Sequence, residues 1–220
     1  MYLIVTQKKW HFNNFKKIKK KNIKLISNYK KFNFNNIKKI NPKIIFFPHW
    51  SYKVSEKILN HYKCICFHET DLPYGRGGTP IQNLIIRGWK KTKITAFVMN
   101  NEIDAGDVIT KRNLSLRGSA QEIYEKSSKI IFKLIFDIIK MKKINRYKQK
   151  GNVVKFKRLK NNSNINSKIK NIDQVYNHIR MLDADSYKKA YLDKGKVRIT
   201  FFNVKKIKNK LLSMAIIEKK

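Results

Sequence analysis

Cys64-Ile65-Cys66-Phe67-His68-Glu69-Thr70-Asp71-Leu72-Pro73-Tyr74-Gly75-Arg76-Gly77-Gly78-Thr79-Pro80 is the stretch whose reading decides the fold. Lys63 to Phe67 reads as a strand buried on both faces, because its apolar residues run on without alternation. The run ends at His68, and a turn rich in Pro and Gly follows at once. Upstream, Lys43-Ile44-Ile45-Phe46-Phe47 repeats the pattern and ends at Pro48-His49-Trp50. Tyr2 to Thr6 is a third apolar run, and Asn22 to Ile26 alternates as an outer strand. Helical segments are expected between them: Asn13 to Lys21, Phe34 to Ile40 stopped by Asn41-Pro42, and a helix through about Tyr62 with Ser51 as N-cap. Strand-helix-strand order of this kind predicts an α/β domain with a mainly parallel sheet. Ligands bind beyond the carboxyl ends of such strands, where Pro48-His49-Trp50 and His68-Glu69-Thr70 both fall.

Downstream, Thr79 to Gly88 carries a short helix closed by its glycine, and Thr92 to Met99 is a strand rich in β-branched residues. Asn100-Asn101 and Asp104-Ala105-Gly106-Asp107 form a loop, and Val108 to Arg112 is the strand that leaves it. Ser119 with Glu122 three residues later is a capping box, opening a long helix to about Met141. Gln149 to Arg158 reads as a turn and a strand. The expected division is a catalytic domain over 1–158, an Asn/Lys/Ser linker over 159–170 and a small C-terminal unit over 171–220. That unit is expected to hold a helix over Asp173 to Leu182, an edge strand over Lys196 to Phe202, and a strand over Leu211 to Ile217 pairing with it.

The 220 residues suffice for one medium domain with an appendage, and 42% hydrophobic content is that of a folded chain. The formal charge of +37 is extreme. Lysines far outnumber arginines and are scattered through strand flanks and linkers, which reads as compositional drift with a solvated basic surface. A nucleic-acid footprint is the alternative. The two cysteines, Cys64 and Cys66, stand two apart on one strand and have no third partner for a metal. This usage suits a reducing compartment, and a cytoplasmic location is expected. No apolar run reaches membrane-spanning length, so membrane insertion is not expected.

His68 at one strand end and Asp104 in a small-residue loop after another are the residue types an acid–base pair needs, with a sheet to hold them in register. Taken singly, each also suits a plain loop residue. Gly75-Arg76-Gly77-Gly78 reads either as a phosphate-binding nest of backbone N–H groups or as a hairpin. Cys66, in mid-strand, reads as an inert buried thiol. Trp50 suits either the core or a face for a planar ligand.

The run from His68 through Leu72-Pro73, Arg76-Gly77-Gly78-Thr79-Pro80-Ile81, Thr92 to Thr95, and Ile103-Asp104-Ala105-Gly106-Asp107-Val108-Ile109 resembles the folate-dependent formyltransferase family. That family includes methionyl-tRNA formyltransferase and the amino-sugar N-formyltransferases. Its hallmark is Asn-x-His-x-Ser-x-Leu-Pro, then Arg-Gly and Pro, then a loop with Asp-x-Gly; the likeness covers roughly residues 44 to 112. It implies a Rossmann-like fold with a small C-terminal α+β extension, and 10-formyltetrahydrofolate as co-substrate. His68 and Asp104 fall on the family's catalytic His and Asp, and Cys66 on its Asn, whose amide donates to the developing oxyanion. The resemblance implies folate contacts from Phe47, Trp50, Met99, Asn100 and Asn101. It implies acceptor contacts from Thr70, Arg76, Gly77 and Gly78. The acceptor expected first is a nucleotide-linked amino sugar, with methionyl-tRNA as runner-up and a non-catalytic protein keeping the fold as a third reading.

Overall fold

The apolar runs at residues 2, 23, 44 and 63 form four parallel strands, β1 (Tyr2–Val5), β2 (Ile23–Ile26), β3 (Ile44–Pro48) and β4 (Lys63–His68). With β6 (Lys91–Val98) and β7 (Val108–Ser115) they make one six-stranded sheet, in the order β2-β1-β3-β4-β6-β7. β6 lies antiparallel to β4, so the sheet is mainly rather than wholly parallel. This computed structural model describes residues 1–18, 22–159, 163–165, 169–185 and 187–220. Parts of the helix expected over Asn13 to Lys21 and of the linker expected over 159–170 lie outside the described residues. What is described of that helix is α1 (Phe12–Lys16), entered through a 3-10 turn at Lys9–His11.

Contacts divide the chain into two units. One comprises Met1–Gly77, Thr92–Leu114 and Glu125–Lys155; the other comprises Gly78–Lys91, Ser115–Tyr124 and Phe156–Lys220. In the first, Leu3, Val5, Ile45, Phe47, Cys64 and Cys66 point to one face of the sheet. There they meet Ile37 of α2 (Phe34–Ile40) and Ile58 of α3 (Glu56–His61). Ile4, Phe46, Ile65 and Phe67, which point the other way, are equally buried. Each fully buried Phe or Ile contributes about 1.5–3 kcal/mol, so these strands are the stable frame of the unit. Asn41 ends α2 in the left-handed region, a conformation Asn tolerates at helix ends, and the helix stops before Pro42 as expected.

Ser51 does not cap a helix: α3 begins only after Ser55. The intervening residues are held by aromatic packing, with Trp50 against Phe32 and Tyr52 stacked on Tyr29 at 4.2 Å. Those contacts outweigh one capping hydrogen bond, worth about 1 kcal/mol. The Gly-rich segment expected as a loop contains β5 (Tyr74–Gly77), paired with β8 (Val154–Phe156).

The second unit contains α4 (Pro80–Ile86), the start of α5 (Ala120–Lys140) and α6 (Ile172–Leu182). The expected capping box is present, with Ser119 N–H donating to Glu122 Oε2 at 2.8 Å and Glu122 N–H returning to Ser119 Oγ at 3.3 Å. Arg180 on α6 donates to the carbonyls of Leu116 and Gly118 at 2.6 and 3.0 Å. An antiparallel sheet in the order β11-β10-β9 completes the unit, from β9 (Ala190–Lys194), β10 (Val197–Ile207) and β11 (Lys210–Lys219). The strand expected at the edge, from Lys196 onward, is therefore central. β9, Ala-Tyr-Leu-Asp-Lys, carries no clean alternation by which sequence would find it. No helix among the described residues is long and apolar enough to cross a membrane.

Candidate active site

Cys66 and His68 stand two apart on β4 and point to the same face, with His68 at the strand's carboxyl end. His68 is buried, and its Nε2 lies 2.7 Å from the carbonyl of Gly75. A carbonyl only accepts, so Nε2 carries the proton and Nδ1 is left to face Asp104, 3.6 Å from Oδ2. In the neutral ring this nitrogen is an unprotonated base. Once it takes up a proton, imidazolium and carboxylate attract each other. Such a pair can receive a proton at Nδ1 and hold it there.

Asp104 is placed by three features of its loop. Its backbone is left-handed (φ +53°), a conformation Asp tolerates better than most residues. Gln149 Nε2 grips the carbonyls of Asp104 and Gly106 at 2.8 and 2.9 Å. Oδ2 accepts the Gly77 N–H at 2.9 Å. Gly106 admits no side chain, because a Cβ there would lie 1.7 Å from the carbonyl oxygen of Val98. Sequence reading passed over Gln149, which sits in a polar stretch and belongs to no motif. Gly106 was legible as the small residue of Asp-x-Gly.

The structure overturns the phosphate-nest reading of Gly75 to Gly78. The Gly77 N–H is given to Asp104, the Gly78 N–H donates to Phe156 O at 3.1 Å, and Arg76 donates twice to Gln149 Oε1 at 3.1 and 2.8 Å. A nest needs free N–H groups converging on one point, and these are spent inside the fold. Cys66 Sγ sits 3.9 Å from Phe67 O. Burial, with the nearby charges of Asp104 and Glu69, pushes its thiol well above the ordinary range, so it is a neutral, weak donor and no nucleophile.

The residues expected to touch a folate divide into two sets. Phe47 is fully buried and packs on Phe32 and Trp50, and Met99 and Trp50 pack against the same core. Asn100 and Asn101 are exposed, and Asn100 Oδ1 accepts the Glu102 N–H of its own turn. Thr70 is fully buried, and its carbonyl accepts the Thr95 hydroxyl at 2.6 Å. Trp50 Nε1 and Thr70 Oγ1, at these strand ends, are among the buried polar atoms that have no hydrogen-bond partner among the described residues. Buried donors are rarely left unpaired, so they suit a ligand that brings its own acceptors.

A second polar cluster was not foreseen. Asn14 Nδ2 donates to Ser128 Oγ at 2.7 Å, and Ser128 Oγ lies 2.8 Å from His11 Nδ1. His11 Nε2 lies 2.5 Å from His49 Nδ1, which also accepts the Trp10 indole N–H at 3.1 Å. His49 Nε2 in turn lies 2.5 Å from Glu69 Oε1. As Nδ1 of His49 is the acceptor for Trp10, its proton sits on Nε2 toward Glu69, and His11 supplies the proton between the rings. Burial, then His49 and Lys8, pushes the His11 pKa well below 6.5, which keeps it neutral as this chain of donors requires. Trp10-His11 and Pro48-His49-Trp50 are the only marks it leaves in sequence, and neither has a spacing that announces it.

The formyl transferase family model matches residues 5–130, more than half of the chain, and the model for the C-terminal domain of methionyl-tRNA formyltransferase matches residues 160–218. Methionyl-tRNA formyltransferase from Clostridium thermocellum matches the structure over 100% of this chain and 99% of its own, at 38% identity and a TM-score of 0.93. Methionyl-tRNA formyltransferase of Bacillus mycoides is 33% identical over 128 residues, 56% of this chain and 41% of its own. The aligned region spans 28–41% of the first curated relatives. An N-formyltransferase from Helicobacter canadensis, determined with folinic acid and dTDP-3-aminofucose, covers 99% of this chain at 16% identity and a TM-score of 0.65, which is likeness of fold alone.

Proposed function

The chain belongs to the formyl transferase family, and from that premise we propose that it moves a formyl group from 10-formyltetrahydrofolate to the amine of methionyl-tRNA. The observation that carries the reaction class is the His68–Asp104 pair, with its imidazole oriented by Gly75 and its carboxylate by Gly77. The unpartnered Trp50 Nε1 and Thr70 Oγ1 suit a folate, whose ring system is rich in nitrogen and carbonyl acceptors. Bound there, the folate supplies an activated formyl carbon on a nitrogen leaving group. As the acceptor amine bonds to that carbon, the bond from carbon to folate nitrogen breaks, and the amine proton replaces it on that nitrogen. His68 Nδ1 is the base through which this proton passes, and Asp104 stabilises the imidazolium while it lasts. Cys66 offers the charge developing on the formyl oxygen only a thiol, in place of the amide donor of the family motif. A missing donor of that kind costs about a hundredfold or more in rate.

The acceptor assignment rests on the full-length likeness to a methionyl-tRNA formyltransferase, compared with 16% identity to the sugar enzyme. It reverses the order expected from sequence. Arg76, expected to face a nucleotide phosphate, is held by Gln149, and a charge of +37 suits a polyanionic acceptor. The test is to supply 10-formyltetrahydrofolate with methionyl-tRNA in one reaction and nucleotide-linked amino sugars in another, and to weigh the products. Formylmethionyl-tRNA, formed with a rate that falls steeply with salt, is expected. A formylated sugar alone transfers the assignment to that acceptor. No product with any amine, together with no folate binding, overturns the enzyme reading.

A further inference from the structure

The chain that joins His68 to Gly75 runs from Glu69 to Tyr74, and it is held by groups far from it in sequence. Near its start, Thr95 on β6 donates its hydroxyl to Thr70 O at 2.6 Å and accepts the Leu72 N–H at 3.4 Å. Beyond its end, β5 is paired with β8. Its middle is gripped by two lysines from the strands beyond β4. Lys111 on β7 lies 2.5 Å from Asp71 Oδ1 and donates to Leu72 O at 2.6 Å, and Lys93 on β6 reaches Asp71 Oδ2 at 2.9 Å. The two differ in setting. The Lys111 side chain is 21% exposed and holds a backbone carbonyl as well as the carboxylate; that of Lys93 is 43% exposed and holds the carboxylate. Burial by itself would raise the Asp71 carboxyl, yet the two ammonium groups outweigh it and hold it below the usual carboxylate range. The grip is therefore charged at neutral pH.

What this stretch carries is the acceptor that sets the tautomer of His68. Two groups compete for the one proton of the neutral ring: Gly75 O, 2.7 Å from Nε2, and Asp104 Oδ2, 3.6 Å from Nδ1. A carboxylate is intrinsically the stronger acceptor, since charge-assisted hydrogen bonds are roughly twice as strong as neutral ones. A proton drawn to Nδ1 would make that nitrogen a donor, with no lone pair left to take a proton from an amine. Gly75 O prevails because it stands closer, and it stands there only while the chain before it keeps its course. We infer that Lys111 is a positioning residue: by gripping Asp71 and Leu72 O it holds Gly75 O on Nε2, and so keeps Nδ1 of His68 unprotonated. The inference rests on the proton role proposed for His68. Lys111 acts from β7, two strands away from β4 in the sheet, and its bonds are to Asp71 and Leu72 rather than to the pair itself. One ammonium bonded to a side chain and to the next residue's carbonyl fixes both at once, which a bond to the exposed carboxylate alone does not do.

The experiment joins long-range proton–nitrogen NMR of histidine-labelled protein, which shows which ring nitrogen carries the proton, to formyl-transfer kinetics. The His68 signals are assigned by their absence from His68→Ala. At about pH 8, where ordinary histidines are neutral, the wild type is expected to carry the proton on Nε2. Lys111→Met is expected to give a mixture with the Nδ1–H form. Its kcat should fall about tenfold, with KM for 10-formyltetrahydrofolate within about twofold of the wild type. Lys93→Met removes an equal charge from Asp71 but leaves Leu72 O held, and is expected to change neither the tautomer nor kcat by more than about twofold. If Lys111→Met does not fold, Asp71→Asn loosens the same grip from its other end, with a smaller admixture of Nδ1–H and kcat about threefold lower. The proposal is overturned if the wild type carries its proton on Nδ1, or if Lys93→Met behaves as Lys111→Met does. It is overturned equally if folded Lys111→Met, or Asp71→Asn in its place, leaves either the tautomer or kcat as in the wild type. A wild type that formylates no amine sinks the proposed function instead, and the tautomers then decide by themselves what Lys111 does.

Discussion

His68 faces Asp104 across 3.6 Å, and its neighbour in sequence, Glu69, faces His49 across 2.5 Å. One end of β4 thus carries two histidine–carboxylate pairs on consecutive residues. The other partners of the His68–Asp104 pair are backbone groups, Gly75 O at His68 and Gly77 N–H at Asp104, which fix orientation and leave Nδ1 without a proton in the neutral ring. Around His49 the neighbours are all side chains: His11 and Trp10 at one nitrogen, Glu69 2.5 Å from the other, with Ser128 and Asn14 behind His11. The same two residue types make the pair to which the proposed reaction assigns proton transfer in one place and a cluster of side chains in the other. What separates them is whether a ring nitrogen is left for the reaction.

This contrast can be broken most directly at Asp104. Asp104→Asn keeps an oxygen for the Gly77 N–H but removes the charge that balances the imidazolium, and His68→Ala removes the base. Each is expected to lower kcat by about a thousandfold or more in a formyl-transfer assay, with unchanged melting. Glu69→Ala should do the reverse. It strands the His49 N–H in a buried site and is expected to cost about 3 kcal/mol in denaturant unfolding, with kcat within a few-fold of the wild type. If Glu69→Ala removes activity at full stability, the roles of the two pairs are exchanged. Cys66→Asn, which restores an amide donor two residues before His68, is expected to raise kcat by up to about a hundredfold. Gln149→Ala, by loosening the Asp104 loop and Arg76 together, is expected to lower kcat about tenfold while KM for folate moves less.

The smallest effect expected is a pH dependence of stability. His11 is held neutral in the fold, its pKa pushed below 6.5 by burial, by His49 and by Lys8, while in the unfolded chain it titrates normally. Its contribution is complete above 6.5 and is lost as the pH falls below that value, because the unfolded chain then takes up a proton the folded one refuses. His178, in the other unit, is lowered chiefly by burial and adds a slope of the same sign. The denaturant midpoint is expected to fall between about pH 7 and about pH 5. His11→Asn should flatten that fall. A midpoint constant over this range, or one that rises, shows that the His11–His49 cluster is charged in the native state.

Sequence reading reached the sheet because burial on both faces leaves an unbroken apolar run, as at Ile44–Phe47 and Cys64–Phe67. It reached His68 and Asp104 because their loops carry residues that mark strand ends. It left Gly75 to Gly78 open between a nest and a hairpin, because small residues with an Arg suit both, and only the partner β8 decides between them. It placed a helix start at Ser51, where local capping preference is overruled by the packing of Trp50 and Tyr52. It had no means to find Gln149, which acts 45 residues away on Asp104, or to join His11 to His49 across 38.

By itself, then, the order of residues determined the strands and their buried faces and marked His68 and Asp104 as residues at strand ends, since each of these leaves a local pattern of hydrophobicity or turn chemistry. Tertiary structure alone decided which ring nitrogen faces a carboxylate and which partners surround each histidine. Those outcomes depend on hydrogen bonds between groups far apart in the chain, and such bonds have no period for a sequence to display.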